Sequence, residues 1–221
     1  HIALQYQHRM HPQISQYPRD AIYDGELLQD SIGILDKRAN YPEIQRVIWI
    51  DVPDGKEEGR SKFNRREADA VISRIKELKS LLSGTPPPDD NRWSIAVLTF
   101  YRGQERLLRE KLHSLSGQRR SPYSYGNMSI ELCTVDRFQG HEADVVLLSY
   151  VRTISPGFLD SSNRLNVGIT RARYHMIHIG KRSFFEWRKI ERKAPLIYGL
   201  VKSLPQESFK TDVTQTKRWR N

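Results

Sequence analysis

The amino-acid sequence predicts an α/β fold with a mostly parallel sheet and helices on both faces. Two observations carry that prediction. Short apolar runs at 47–52, 95–99, 130–135, 144–151 and 174–179 have the length and β-branched content of buried strands. Between several of them lie apolar residues at helical period, and such alternation is the pattern of parallel strands joined by crossover helices. With 221 residues and 38% apolar content the chain can bury one sizeable core, so residues 1–204 read as a single domain.

The elements follow in order. Residues 1–5 read as a strand ending at a sheet edge, after which Pro12 suits the first turn of a helix. After the strand at 47–52, Asn64-Arg65-Arg66-Glu67 has capping-box spacing and opens a helix with the stripe Ala68, Val71, Ile72, Ile75, Leu78 and Leu82. Gly84-Thr85-Pro86-Pro87-Pro88-Asp89-Asp90-Asn91 is too rich in turn formers to be anything but a loop. Leu107, Leu108, Leu112 and Leu115 mark the helix after the strand at 95–99, and residues 116–127, polar and aromatic without period, read as a second loop.

The strands at 130–135 and 144–151 are joined by a tight polar loop containing Gln139-Gly140-His141-Glu142. It sets a glycine backbone, an amide and a carboxylate at a sheet edge, where open α/β sheets bind ligands. Residues 163–173 read as a short helix carrying Arg164, Arg171 and Arg173, followed by the strand at 174–179; arginines clustered at a helix and strand junction suit phosphate. Ser183-Phe184-Phe185-Glu186 has capping-box spacing, and the polar, basic stretch 205–221 is expected to be a weakly ordered tail.

Lys and Arg number 36 against 26 Asp and Glu, a net charge of +10 that favours polyanionic partners, although a basic surface alone would account for it. Cys133 sits inside an apolar run and reads as a packed thiol. The histidines show no ligand spacing, and His175 and His178, three apart in a strand, point to opposite faces, so no bound metal is expected. No run approaches the ~20 apolar residues that cross a bilayer, and His1-Ile2-Ala3-Leu4 opens no signal sequence; a soluble, intracellular protein with no membrane partner is the expectation.

Three segments, Gln5-Tyr6-Gln7-His8-Arg9-Met10-His11-Pro12, Thr134-Val135-Asp136-Arg137-Phe138-Gln139-Gly140-His141-Glu142 and Asn163-Arg164-Leu165-Asn166-Val167-Gly168-Ile169-Thr170-Arg171-Ala172-Arg173, occur in one order along the chain. Together they resemble motifs IV, V and VI of superfamily 1 helicases of the up-frameshift type. The resemblance implies a RecA-like domain, the second of two, carrying motifs IV to VI. It implies that Arg9 approaches the terminal phosphate of ATP and that Arg171 is an arginine finger. Glu142 would accept from the ribose hydroxyls, and His8, Gln139, Gly140 and Arg173 would lie beside the nucleotide; Arg173 also suits a structural pair with a nearby acid. Thr99-Phe100-Tyr101-Arg102-Gly103-Gln104 resembles the family's strand-contacting loop, so Thr99, Tyr101 and Thr134 are candidate contacts to single-stranded nucleic acid, DNA or RNA. The two threonines equally suit loop capping, and Tyr101 equally suits packing.

No Gly-x-x-x-x-Gly-Lys-Ser/Thr loop is present, nor an Asp-Glu-rich strand for Mg²⁺. The resemblance therefore implies that ATP and Mg²⁺ are held mainly by an upstream RecA-like domain of the same protein. A non-catalytic module that binds nucleic acid or docks a partner, keeping the fold without the ATPase, is the competing reading; it needs a basic surface but not Arg9 and Arg171 beside Glu142.

Overall fold

The computed structural model describes residues 5–23, 28–88 and 92–209. Its elements in chain order are β1 (Tyr6–Gln7), α1 (Pro12–Ile22), β2 (Gln29–Asp30), α2 (Ile34–Lys37), β3 (Val47–Asp51), α3 (Arg65–Leu81), β4 (Trp93–Thr99) and α4 (Arg102–Ser116). They continue with β5 (Tyr123–Tyr125), β6 (Met128–Thr134), β7 (Ala143–Ser149), α5 (Ser162–Ile169), β8 (Ala172–Gly180), α6 (Arg182–Phe185), α7 (Arg188–Lys193), α8 (Pro195–Ser203) and β9 (Gln206–Ser208). Seven strands form one sheet in the order β5-β6-β4-β7-β8-β3-β9, parallel throughout except for the edge strand β5. The RecA-like α/β expectation holds.

Two apolar layers follow from the two-residue period of the strands. Ile95, Val97, Val145 and Leu147 meet Val71, Ile75, Leu78 and Leu108 of α3 and α4 on one face. Ala96, Leu98, Val146 and Leu148 meet Ile14, Leu165, Ile169 and Ile197 of α1, α5 and α8 on the other. Gly168 brings α5 close, since a Cβ there would lie 3.1 Å from Leu148. His175 and His178 do point to opposite faces, each closing onto a tyrosine hydroxyl: Nδ1 of His175 is 2.8 Å from Tyr41, and Nδ1 of His178 is 2.8 Å from Tyr150.

Several expectations need correction. Residues 1–4 lie outside the described residues, and the strand that is seen, β1, pairs with β2 in a separate two-stranded sheet. Residues 116–127 are not all loop: β5 turns through Gly126, at φ 63°, onto β6 and buries Tyr123 completely. The arginine-bearing helix ends at Ile169, so Arg171 stands in the link to β8 and Arg173 within the strand. Ser183 caps nothing, because the helix opens one residue earlier behind Lys181. Of the expected tail, Gln206–Ser208 pairs with β3 as an edge strand, and residues 210–221 lie outside the described residues. The box at Asn64 is only half formed: Asn64 Oδ1 accepts from Glu67 N–H at 3.2 Å, but the Asn64 N–H goes to Gln104 Oε1 at 2.8 Å instead of to Glu67.

Candidate functional site

The candidate residues separate into two groups at opposite ends of the parallel strands. Glu142 stands just before β7, and Arg171 and Arg173 stand at the start of β8, so this group lies at the amino ends. Thr99 and Thr134 close β4 and β6, and lie at the carboxyl ends. The Gln-Gly-x-Glu loop lies at a sheet edge, and that edge is the amino one. Because β6 and β7 run parallel on either side of β4, the segment between them must return along the face of the sheet, and it carries Gln139, Gly140 and Glu142 to the far edge.

At the amino edge the side chain of Gln7 closes a small turn, its Oε1 accepting from the N–H groups of Arg9 at 3.0 Å and Met10 at 2.7 Å. That turn projects His8 and Arg9. It is fixed to the domain by His11 N–H donating to the Arg173 carbonyl at 2.9 Å, and by buried Arg38, which donates to the Arg9 carbonyl at 2.8 Å and lies over Tyr174. Arg9 Nε meets Glu142 at 2.5 Å and its Nη1 donates to the Thr170 carbonyl at 3.1 Å. Arg173 sits at a register shift where three residue steps of β8 face two of β7, which re-aims its side chain onto Asp144 at 2.8 Å and within 3.8 Å of Glu142. Its structural pairing with an acid is therefore realised.

Arg171 differs from its neighbours. Its acceptors are carbonyl oxygens, Val167 at 2.9 Å and His141 at 3.4 Å, and among the described residues no carboxylate pairs with it. Burial and the like charge of Arg9 both lower its proton affinity. Burial alone would raise the Glu142 carboxyl, but the Arg9 hydrogen bond and the charges of Arg9, Arg173 and Arg38 outweigh it and hold the group below its ordinary 4.5. Gln139, Gly140, His141 and His8 are exposed along the same edge, with Gly140 at φ 91° and open space around it. Two guanidiniums of like charge thus stand beside open backbone at this edge, a chemistry whose planar donors suit the oxygens of an anion.

At the carboxyl edge lies a cleft of 1070 Å³. Arg60 and Lys62 come from the turn before α3, Arg102, Arg106 and Arg109 from one face of α4, and Arg137 and Arg152 from the loops after β6 and β7. Against them stand Glu105, Asp136 and Asp160. Glu105 is already shared by Arg109 and Arg137, each at 2.7 Å. Thr134 lines the cleft, half-buried. Tyr101 lines it too, but is 7% exposed, stacks on Phe158 and accepts from its N–H at 3.3 Å, so packing holds it. Thr99 is fully buried, its hydroxyl facing the Tyr101 N–H at 3.4 Å; it serves the turn and offers no surface contact. The arginine face of α4 and Phe158 were not singled out in the sequence, although Arg102, Arg106 and Arg109 stand at helical spacing.

A family model described as an AAA domain matches residues 1–183. A regulator of nonsense transcripts 1 homolog from Arabidopsis thaliana is 34% identical over 212 residues, 90% of this chain and 16% of that protein. An uncharacterized ATP-dependent helicase of Methanocaldococcus jannaschii is 32% identical over 203 residues, 85% of this chain and 28% of that protein. Helicase sen1 of Schizosaccharomyces pombe is 34% identical over 189 residues, 80% of this chain and 10% of that protein. The chain thus spans well under a third of the length of each of these relatives. Motifs, fold and relatives coincide, and the chain belongs to the AAA domain family of superfamily 1 helicases of the up-frameshift type.

Proposed function

We propose that this chain is the second motor domain of an ATP-dependent superfamily 1 helicase, acting on ATP with Mg²⁺ in a cleft shared with an upstream RecA-like domain. The observation that carries the reading is Arg171, a half-buried guanidinium held, among the described residues, by carbonyls beside Arg9 at an open edge. A phosphate between the two arginines relieves their repulsion, so the residues present fit an anionic nucleotide.

In this reading Arg171 and Arg9 meet the negative charge that grows on phosphoryl oxygens during transfer, an effect worth roughly 10³ to 10⁵ in rate for such fingers. Arg9 rests on Glu142 through a partly exposed pair, of a kind worth about 0–1 kcal/mol, so phosphate can take it over at small cost. Glu142 then faces the ribose hydroxyls, with His8, Gln139 and Gly140 beside the nucleotide. The basic cleft, through Thr134, the rim of Tyr101 and the α4 arginines, takes the sugar-phosphate backbone of a single strand.

The test is a pair of variants in the full-length protein. Arg171→Ala should lower kcat for ATP by about 10³ with little change in KM. Glu142→Ala should chiefly raise KM, since ribose contacts act equally in ground and transition states. Near-unaltered kcat in Arg171→Ala would overturn the assignment.

A further inference from the structure

The turn that ends β7 is unusual. Val151 is a buried, β-branched residue at φ 69°, a conformation that costs about 1–3 kcal/mol. The Arg152 N–H donates to the Tyr150 carbonyl at 2.8 Å, so the chain reverses around this one residue in a strained γ-turn. Its outcome is the cleft wall. Immediately beyond, Arg152 donates to the Ser155 carbonyl at 2.7 Å, pairs with Glu57 at 3.4 Å and lies over Tyr101, which stacks on Phe158.

What holds that turn is the first turn of α3. Glu67 is fully buried, and its Oε2 accepts from the Val151 N–H at 2.7 Å and from the Ser149 hydroxyl at 2.7 Å. Asn64 donates to Glu67 Oε1 at 3.0 Å and to the Val151 carbonyl at 3.4 Å. A carboxyl three residues into a helix ordinarily folds back onto its own N-cap N–H. Here that N–H is taken by Gln104 of α4, which also donates to Ser149 at 3.0 Å, leaving Glu67 for the turn. Burying a carboxyl completely is costly, and the local helix gains nothing from it that a glutamine would not supply.

We propose that Glu67 is a positioning residue for the single-strand cleft: it latches Val151 in its left-handed turn and thereby sets the Arg152–Tyr101–Phe158 wall. The inference rests on the proposed role of the cleft. It assigns to a residue outside the cleft the geometry of the groups that line it.

The experiment uses the full-length protein and a fluorescein-labelled oligo-uridine strand, read by anisotropy, alongside KM for ATP. Glu67→Ala should weaken strand binding about tenfold or more while KM for ATP stays within about twofold. Glu67→Gln, which keeps an acceptor oxygen for the Val151 N–H, should bind like the unaltered protein. Adding Val151→Gly to Glu67→Ala should restore binding, because glycine takes positive φ without a latch. A merely structural Glu67 would not be rescued by deleting a buried side chain elsewhere, and failure of that rescue overturns the proposal. Arg106→Ala separates the two readings: if it binds normally, the cleft assignment falls and the latch with it; if it binds weakly while Glu67→Ala binds normally, only the latch falls. Should Glu67→Ala not fold, hydrogen exchange at the Val151 amide of the unaltered protein decides, slow exchange supporting the latch and fast exchange overturning it.

Discussion

At the scale of the residue, buried ionisable groups away from the nucleotide edge set how stability depends on pH. Burial pushes Glu67 from 4.5 up to about 8, so its contribution to stability is complete below 4.5 and is lost as pH rises toward 8. His175 and His178, pushed by burial from 6.5 down to about 3, contribute fully above 6.5 and lose that contribution as pH falls toward 3. With His11, lowered by burial to about 4, three histidines outweigh one carboxyl on the acid side, so the thermal midpoint should peak between about pH 6.5 and 7 and decline on both sides, measured by calorimetry across buffers. Glu67→Gln should flatten the decline between 6.5 and 8; an unchanged alkaline limb would show that Glu67 is not the group responsible. The packed thiol read at Cys133 is found buried, its proton held more tightly, to about 11, chiefly by burial. The role of Glu67 was not legible, because capping-box spacing is local whereas its partner Val151 lies 84 positions away.

At the scale of the element, strand and helix periods told correctly which runs are buried, and failed where the governing contact is across the fold. The stretch 116–127 has no period of its own, yet Tyr123 is fully buried once β5 lies against β6. Tyr123→Ala should therefore cost about 3–5 kcal/mol in urea unfolding, where an exposed loop residue would cost almost nothing. The arginine helix was placed too long because Thr170 and Arg171 continue its composition; only the start of β8 and the bulge at Arg173 decide where it stops. On α4, Arg102→Ala and Arg106→Ala should each lower the dependence of log affinity on log salt by about one unit. Arg109→Ala should lower it less, because its charge is already shared with Glu105.

At the scale of the molecule, half of a motor should not run alone. The purified 221-residue chain is expected to hydrolyse no ATP and to bind oligo-uridine weakly and in a salt-sensitive way; robust turnover in a sample free of contaminating ATPases would sink the two-domain reading. The three motifs were legible because each is a contiguous string. That the motif running from Thr134 to Glu142 spans both ends of the strands was not, since it depends on β6 and β7 being parallel across β4.

That arrangement makes the stretch from Thr134 to Glu142 a tether between the two edges. Thr134 is level with Ser149 across β4, so the chain must travel back six strand residues, about 20 Å, and two strand spacings sideways, about 10 Å, roughly 22 Å in all. Four of its residues, Val135–Phe138, are wound at about 2 Å each, and Gln139 and Gly140 close a second turn in which the His141 N–H donates to the Phe138 carbonyl at 3.1 Å, so the slack in the path lies in these two turns. In the proposed reading a pull on Thr134 by a strand in the cleft is taken up first by those two turns, and only then moves Glu142 and loosens its hold on Arg9. Distance between the two edges is thus converted into timing, the order in which grip on the strand and release of the finger can occur.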